Sequence, residues 1–128
     1  MTPGLQSARQ VTMQKENEIR IETRGSVTVL DIHGDVTTFS EPFLNQAYKT
    51  ANDQGAGKLI LKFDEKAYIN SGGIALLIQL LAETKKKNQQ IGIAGLSPHF
   101  QKIFHMVGIT KFAKIYTSME EAIAGMSG

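Results

Sequence analysis

Tyr68-Ile69-Asn70-Ser71-Gly72-Gly73-Ile74-Ala75-Leu76-Leu77 runs from an extended apolar segment, through a small polar loop, into the most apolar helical stretch of the chain. From Ile74, residues Leu77, Ile78 and Leu81 recur at i, i+3, i+4 and i+7, and Leu76 and Leu80 widen the stripe. A stripe that wide predicts a helix covered on more than one side. Just before the loop, Lys58-Leu59-Ile60-Leu61-Lys62-Phe63-Asp64 is a short apolar run of the kind that fills the centre of a parallel sheet. A buried strand, a loop and a buried helix in immediate succession form the repeating unit of an α/β domain.

Outward from this unit, the rest of the chain supplies its neighbours. Residues 1–16 are polar, contain Pro3 and Gly4, show no sustained period and are expected to form a loose arm. Ile19 and Ile21 alternate with Glu18, Arg20 and Glu22, the pattern of a half-buried strand. Gly25-Ser26 marks a turn, and Val27 to Ile32 is a second, more apolar strand, so the two predict an antiparallel hairpin. A loop over Gly34 to Phe39 leads to Ser40, expected to cap a helix whose face is Phe43, Leu44, Ala47, Tyr48 and Ala51. Gly55-Ala56-Gly57 ends that helix, and Asn88 stops the one after the focal loop.

Ile91-Gly92-Ile93-Ala94 reads as a buried strand whose glycine predicts a close neighbour. Ser97-Pro98 opens a helix with the face Phe100, Ile103, Phe104 and Val107, terminated at Gly108. Phe112 to Tyr116 is expected to be a short edge strand. Ser118 with Glu121 predicts a capping box for a last helix carrying Ala122, Ile123 and Met126. The order is ββαβαβαβα, an α/β fold with a mixed, mostly parallel sheet covered by helices.

Composition narrows the chemistry. A chain of 128 residues with 41% apolar and 20% charged residues is expected to fold as one domain with its own core. It has no cysteine, which excludes disulfides, thiol catalysis and cysteine zinc sites, and fits a reducing compartment. The net charge of +2 offers no electrostatic case for nucleic acid. Lys85-Lys86-Lys87 closes a predicted helix, where cations complement the negative end of its dipole. No apolar run reaches bilayer length and the N-terminus lacks a signal-peptide core, so no membrane segment and a cytoplasmic location are expected.

On local chemistry Ser71 admits two roles. It can be a plain helix cap. It can also be a presented hydroxyl, because Gly72 and Gly73 leave it sterically open and helix-start amides favour an added anion. A nucleophilic serine needs a base within reach. His33, His99 and His105 are the only imidazoles, no Gly-x-Ser-x-Gly elbow is present, and no two histidines are spaced as a metal pair. Asp64 ends the central strand where a receiver domain places its phosphoacceptor, but no acidic pair follows the first strand. No phosphate-loop pattern is present. No catalytic residue, metal or cofactor is expected.

Tyr68 through Ile74 matches a family pattern of aromatic, aliphatic, small polar, Ser, small, Gly and aliphatic residues. Leu30-Asp31-Ile32-His33-Gly34-Asp35-Val36 is similar to that family's strand-Gly-acid segment, and Leu96-Ser97-Pro98 through Gly108-Ile109 to its third-helix segment. On these residues the chain resembles the STAS domain, as a single domain over 17–128, and within it the stand-alone bacterial anti-sigma factor antagonists. The resemblance implies a regulatory binding module. Ser71 would be phosphorylated by a partner anti-sigma factor with serine-kinase activity. The unphosphorylated form would sequester that partner, the phosphorylated form would release it, and a serine phosphatase would reset it. Asn70, Gly72 and Gly73, with Asp35, Thr37, Thr38 and Phe39 of the neighbouring loop, would form the partner surface. Asn70 stands where many members have Asp, and Gly72 where many have Ser or Thr. The alternative within the same resemblance is a module of a transport or lipid-handling system that binds a protein or small ligand without phosphorylation.

Overall fold

A computed structural model describes residues 17–127; the expected arm over 1–16 lies outside the described residues. The expected hairpin is β1 (Glu18–Arg24) and β2 (Val27–His33), joined by Gly25-Ser26 and paired antiparallel with Glu18 opposite His33 and Arg24 opposite Val27. Gly25 has φ +62° and Ser26 does not share it, which fits a glycine-first II′ turn matched to the strand twist. The chain continues through α1 (Glu41–Asp53), β3 (Lys58–Phe63), α2 (Ser71–Lys86), β4 (Gln90–Ala94), α3 (Pro98–Met106), β5 (Lys114–Ile115) and α4 (Met119–Met126). The order in the sheet is β1-β2-β3-β4-β5, with every pair after the hairpin parallel. The ββαβαβαβα frame and the central place of the 58–63 strand are as expected.

Side-chain alternation divides the sheet into two unequal layers. Leu30, Ile32, Leu59, Leu61, Phe63, Ile91 and Ile93 face α1, α2 and α3 in the main core. Phe63 meets Phe104 edge to face, with centroids 6.2 Å apart. Val27, Val29 and Ile60 face the other way, onto Ala122 and Met126 of α4. Gly92 lies under that helix, and a β-carbon there would come within 2.5 Å of Met126 Sδ, which is the close neighbour its glycine predicted. The wide stripe of α2 buries Leu77, Leu80 and Leu81, while Ile74, Leu76 and Ile78 are half-buried along its flanks against the same core.

Four local expectations need correction. Ser40 does not cap α1 with its side chain. A 3-10 turn (Thr38–Ser40) runs straight into α1, Thr37 caps it by accepting from Phe39 N, and Ser40 Oγ accepts from Thr37 N. The strand expected over Phe112 to Tyr116 shrinks to two residues, because Ile109–Lys111 form a second 3-10 turn after Gly108 turns left-handed at φ +83°. Ser118 does cap α4, but Glu121 reaches past it to the backbone N–H and hydroxyl of Thr117. Val107, counted on the apolar face of α3, is its exposed C-cap, 44% accessible.

Candidate functional site

The focal loop lies where β3 has left the sheet and α2 begins. Asn70 adopts an extended backbone and its Oδ1 accepts from Gly73 N at 2.8 Å, so Asn70, not Ser71, is the cap of α2. Ser71 is the first residue of the helix proper, and it is exposed. Its hydroxyl makes no hydrogen bond with any described residue, so no base stands in reach of it here. Gly73 N is taken by the cap, and Ile74 N donates to Asn70 O. No described residue accepts from the amides of Ser71 and Gly72, which stay available beside the hydroxyl.

A second loop is tied to the first. Val36 N donates to Tyr68 O at 2.9 Å and Asn70 N donates to Val36 O at 3.1 Å, a parallel bridge between Val36 and Ile69. Asp35 Oδ1 accepts from Tyr68 N at 2.9 Å. Both Val36 and Ile69 are buried, so the bridge is shielded from water. The paired glycines after Ser71 serve this contact. A β-carbon on Gly73 would invade the Val36 carbonyl, 2.7 Å from its carbon, and one on Gly72 would lie 2.5 Å from Thr38 Cγ2. The glycines let a helix start press against the neighbouring loop, Gly73 against its backbone and Gly72 against the Thr38 methyl.

The loops bring together Asp35, Thr37, Thr38 and Phe39 with Asn70, Ser71, Gly72 and Gly73 on one surface. Asp35, Thr38, Phe39 and Ser71 are exposed, Thr37, Asn70 and Gly72 are half-buried, and Gly73 is buried beneath them. Phe39 is 76% accessible and Tyr68 60%, large apolar side chains left in water beside a polar hydroxyl. Tyr68 also leans on Phe100 at the start of α3, with ring centroids 5.9 Å apart. Exposed aromatics of this kind mark contact surfaces more often than they mark the rest of a monomer's exterior.

Sequence reasoning left His33 and Asp64 without a role, and the structure gives them one. His33 lies between two carboxylates, with Nδ1 3.1 Å from Asp64 Oδ1 and Nε2 3.2 Å from Asp31 Oδ2. Asp64 Oδ2 also accepts from Gly34 N at 3.1 Å, which pins the base of the Asp35 loop. Lys62 approaches Asp31 from the next strand at 3.5 Å. His33 ends β2 and Asp64 follows β3, so their meeting becomes visible once those strands are known to be parallel neighbours. Asp31 and Asp64 approach opposite ring nitrogens of His33, and among the described residues no group of three or more His, Asp or Glu is arranged to hold a metal ion, nor is any helix long and apolar enough to cross a membrane.

A family model for the STAS domain matches residues 18–122. The chain belongs to the STAS domain family. Solved structures share its architecture. An anti-sigma factor antagonist from Mycobacterium paratuberculosis superposes with a TM-score of 0.74 at 18% identity, covering 92% of this chain and 100% of that one. A putative anti-sigma factor antagonist from Thermotoga maritima gives 0.74 at 12% identity, over 86% of this chain and 95% of that one. The Bacillus cell-fate determinant SpoIIAA in its phosphorylated form gives 0.59 at 20% identity, over 84% and 98%. At these identities the likeness is one of fold. In this STAS domain the segment from Tyr68 to Ile74 occupies the entry to α2, beside the loop that follows β2.

Proposed function

We propose that this STAS domain is an anti-sigma factor antagonist switched by phosphorylation of Ser71. The observation that carries the proposal is the division of labour at the start of α2. Asn70 performs the capping, which frees the Ser71 hydroxyl for a kinase. The dephosphorylated domain binds an anti-sigma factor with serine-kinase activity through the exposed part of the two-loop surface: Asp35, Thr37, Thr38, Phe39, Asn70, Ser71 and Gly72. Gly73 supports that surface from below. A serine phosphatase resets the domain, and the exchange takes place in the cytoplasm. No reaction on a small substrate is assigned to it.

The physics favours a switch that leaves the fold intact. A phosphate brings about −1.5 to −2 charges at neutral pH. At the first turn of a 16-residue helix, with two amides unclaimed by described residues, the free domain tolerates that charge. A partner packed over Phe39 and the hydroxyl does not, unless it supplies a matching cation. Anti-sigma factor antagonists are also the proteins named in the structural neighbours, and one of them, SpoIIAA, is described in both phosphorylated and unphosphorylated forms.

The test is incubation with the cognate serine kinase and ATP, followed by intact mass. A phosphate-sized gain that disappears in Ser71→Ala is expected. A gain that survives Ser71→Ala, or none with an active kinase, overturns the site. Ser71→Asp is expected to weaken kinase binding while Ser71→Ala preserves it, and equal affinity of the two removes the electrostatic mechanism. Stable stoichiometric binding to a transport component without any phosphorylation would instead favour the transport-type module.

A further inference from the structure

β1 forms one edge of the sheet, and among the described residues its outer side pairs with nothing. Exposed edges are blunted by short strands, charged side chains, prolines, bulges or a covering element, and charges of a single sign repel a second copy in every register. This edge is different. On one face it carries Glu18, Arg20, Glu22 and Arg24, strictly alternating in sign, and on the other Ile19, Ile21 and Thr23. We propose that the β1 edge is a self-association surface on which a second copy of this chain pairs antiparallel about Ile21.

The sequence of charges selects that register. A two-fold contact requires that residue i meet j while j meets i. Centred on Ile21, the pairing sets Glu18 against Arg24 and Arg20 against Glu22 of the second copy, and each match occurs twice. Sliding the strands by two residues in either direction sets Arg20 against Arg20 or Glu22 against Glu22. Sliding by one sets charges against Ile19 and Ile21 and reverses the faces. Only the centred register joins all four charges to opposites.

Backbone polarity agrees. The two-residue turn at Gly25-Ser26 closes on a hydrogen-bonded pair, Arg24 with Val27. Alternation then directs the N–H and C=O groups of Glu18, Arg20, Glu22 and Arg24 towards β2, and those of Ile19, Ile21 and Thr23 outward. In the centred register the outward groups bond each other, and the charged residues fall at the non-hydrogen-bonded positions, where opposing side chains are closest. Among the described residues these charges pair only along their own strand, Arg20 with Glu18 at 3.1 Å and Arg24 with Glu22 at 3.4 Å, at positions that remain about half or more accessible to water. Pairs this exposed contribute little on their own strand, so their partners can be exchanged across the axis.

The apolar face contributes as well. Ile19 and Ile21 line an open groove of about 510 Å³ against α1, together with Pro42, Phe43 and Ala47. In the centred register the two copies place Ile21 against Ile21, with a groove on each side of the axis, and association covers both.

The full chain is expected to show a monomer–dimer equilibrium in sedimentation velocity at concentrations on the order of 100 µM, as for a weak two-strand contact. R20E and E22R, each alone, place like charges across both pairs and are expected to weaken the dimer roughly tenfold or more. Mixing R20E with E22R in equal amounts restores opposite pairs and a heterodimer, and the double variant R20E/E22R restores the homodimer. Unchanged circular dichroism shows that each variant folds. A second measurement uses no substitution: amide exchange at Ile19, Ile21 and Thr23 slows as concentration rises, while that at Arg20 and Glu22 does not change. A chain that stays monomeric near 1 mM overturns the proposal. So does a dimer indifferent to R20E, or one that forms only after residues 1–16 are removed.

Discussion

Gly73→Ala isolates the close approach that builds the two-loop surface. The added β-carbon would overlap the Val36 carbonyl, and Val36 is fully buried and held by two backbone hydrogen bonds, to Tyr68 O and from Asn70 N. Neither side can yield cheaply, because Asn70 also caps α2 through Gly73 N itself. Overpacking of a tight site costs about 1–3 kcal/mol. Pushing the Val36 peptide aside weakens two hydrogen bonds, each with a net value of about 0.5–1.5 kcal/mol. The better helix propensity of alanine returns at most about 1 kcal/mol. The expected loss is about 2–4 kcal/mol, seen as a fall of about 1–2 M in the urea midpoint at unchanged slope. Gly72→Ala is the control. It meets a threonine methyl, which can rotate or be removed by Thr38→Ser, so its loss is expected to stay near 1 kcal/mol or below. A Gly73→Ala protein within about 0.5 kcal/mol of wild type would refute the claim that this glycine is required by the Val36 contact.

Further outcomes follow from the same geometry. Asn70→Ala removes a helix cap and is expected to cost about 1 kcal/mol in equilibrium unfolding, while Asn70→Asp retains the bond to Gly73 N and adds a charge that suits the helix start. Ser71→Ala, at an exposed and uncommitted side chain, is expected to stay within about 0.5 kcal/mol of wild type, and a larger loss would mean that the hydroxyl is structural. The Glu121 carboxyl is held below its ordinary value by the hydroxyl and the backbone N–H of Thr117. Its contribution to stability is therefore present above the unfolded-state value and lost as pH falls through the lowered folded-state value. Glu121→Gln is expected to flatten the acid limb of the stability profile, measured by urea unfolding at a series of pH values. An unchanged acid limb would contradict the assignment.

The elements were legible because their periods are clean. Alternation at Ile19 and Ile21 and the i, i+3, i+4, i+7 faces around Leu44, Leu77 and Phe104 each identify one element, and the short links between them restrict how they connect. Choices one residue apart were harder. Asn70 and Ser71 are both good caps, and only the bond to Gly73 N decides between them. Ser40 has the composition of a cap, but the Thr37 turn takes that work, because the chain is already coiling before α1. Glu121 stands three residues after its cap as a capping box requires, yet a threonine hydroxyl one residue earlier competes for it. The purpose of Gly72 and Gly73 was not readable, since it lies in a loop more than 30 positions away, in the Thr38 methyl for Gly72 and the Val36 carbonyl for Gly73. Asp31 lies two residues before His33 on the same strand, but the contact of His33 with Asp64 is likewise a product of strand register.

The bridge between Val36 and Ile69 bears on when this surface comes into being. Its two halves are separated by α1 and β3, so they meet only after the β2–α1–β3 crossover has closed and its two parallel strands have aligned. Contacts of such long sequence separation form late, because the entropy of closing the intervening chain is spent before they repay it. A nascent, truncated or misassembled chain can carry Phe39, Asn70 and Ser71 and still lack the shape they make together. Under the proposed function, competence to engage a partner is thereby tied to completion of the fold.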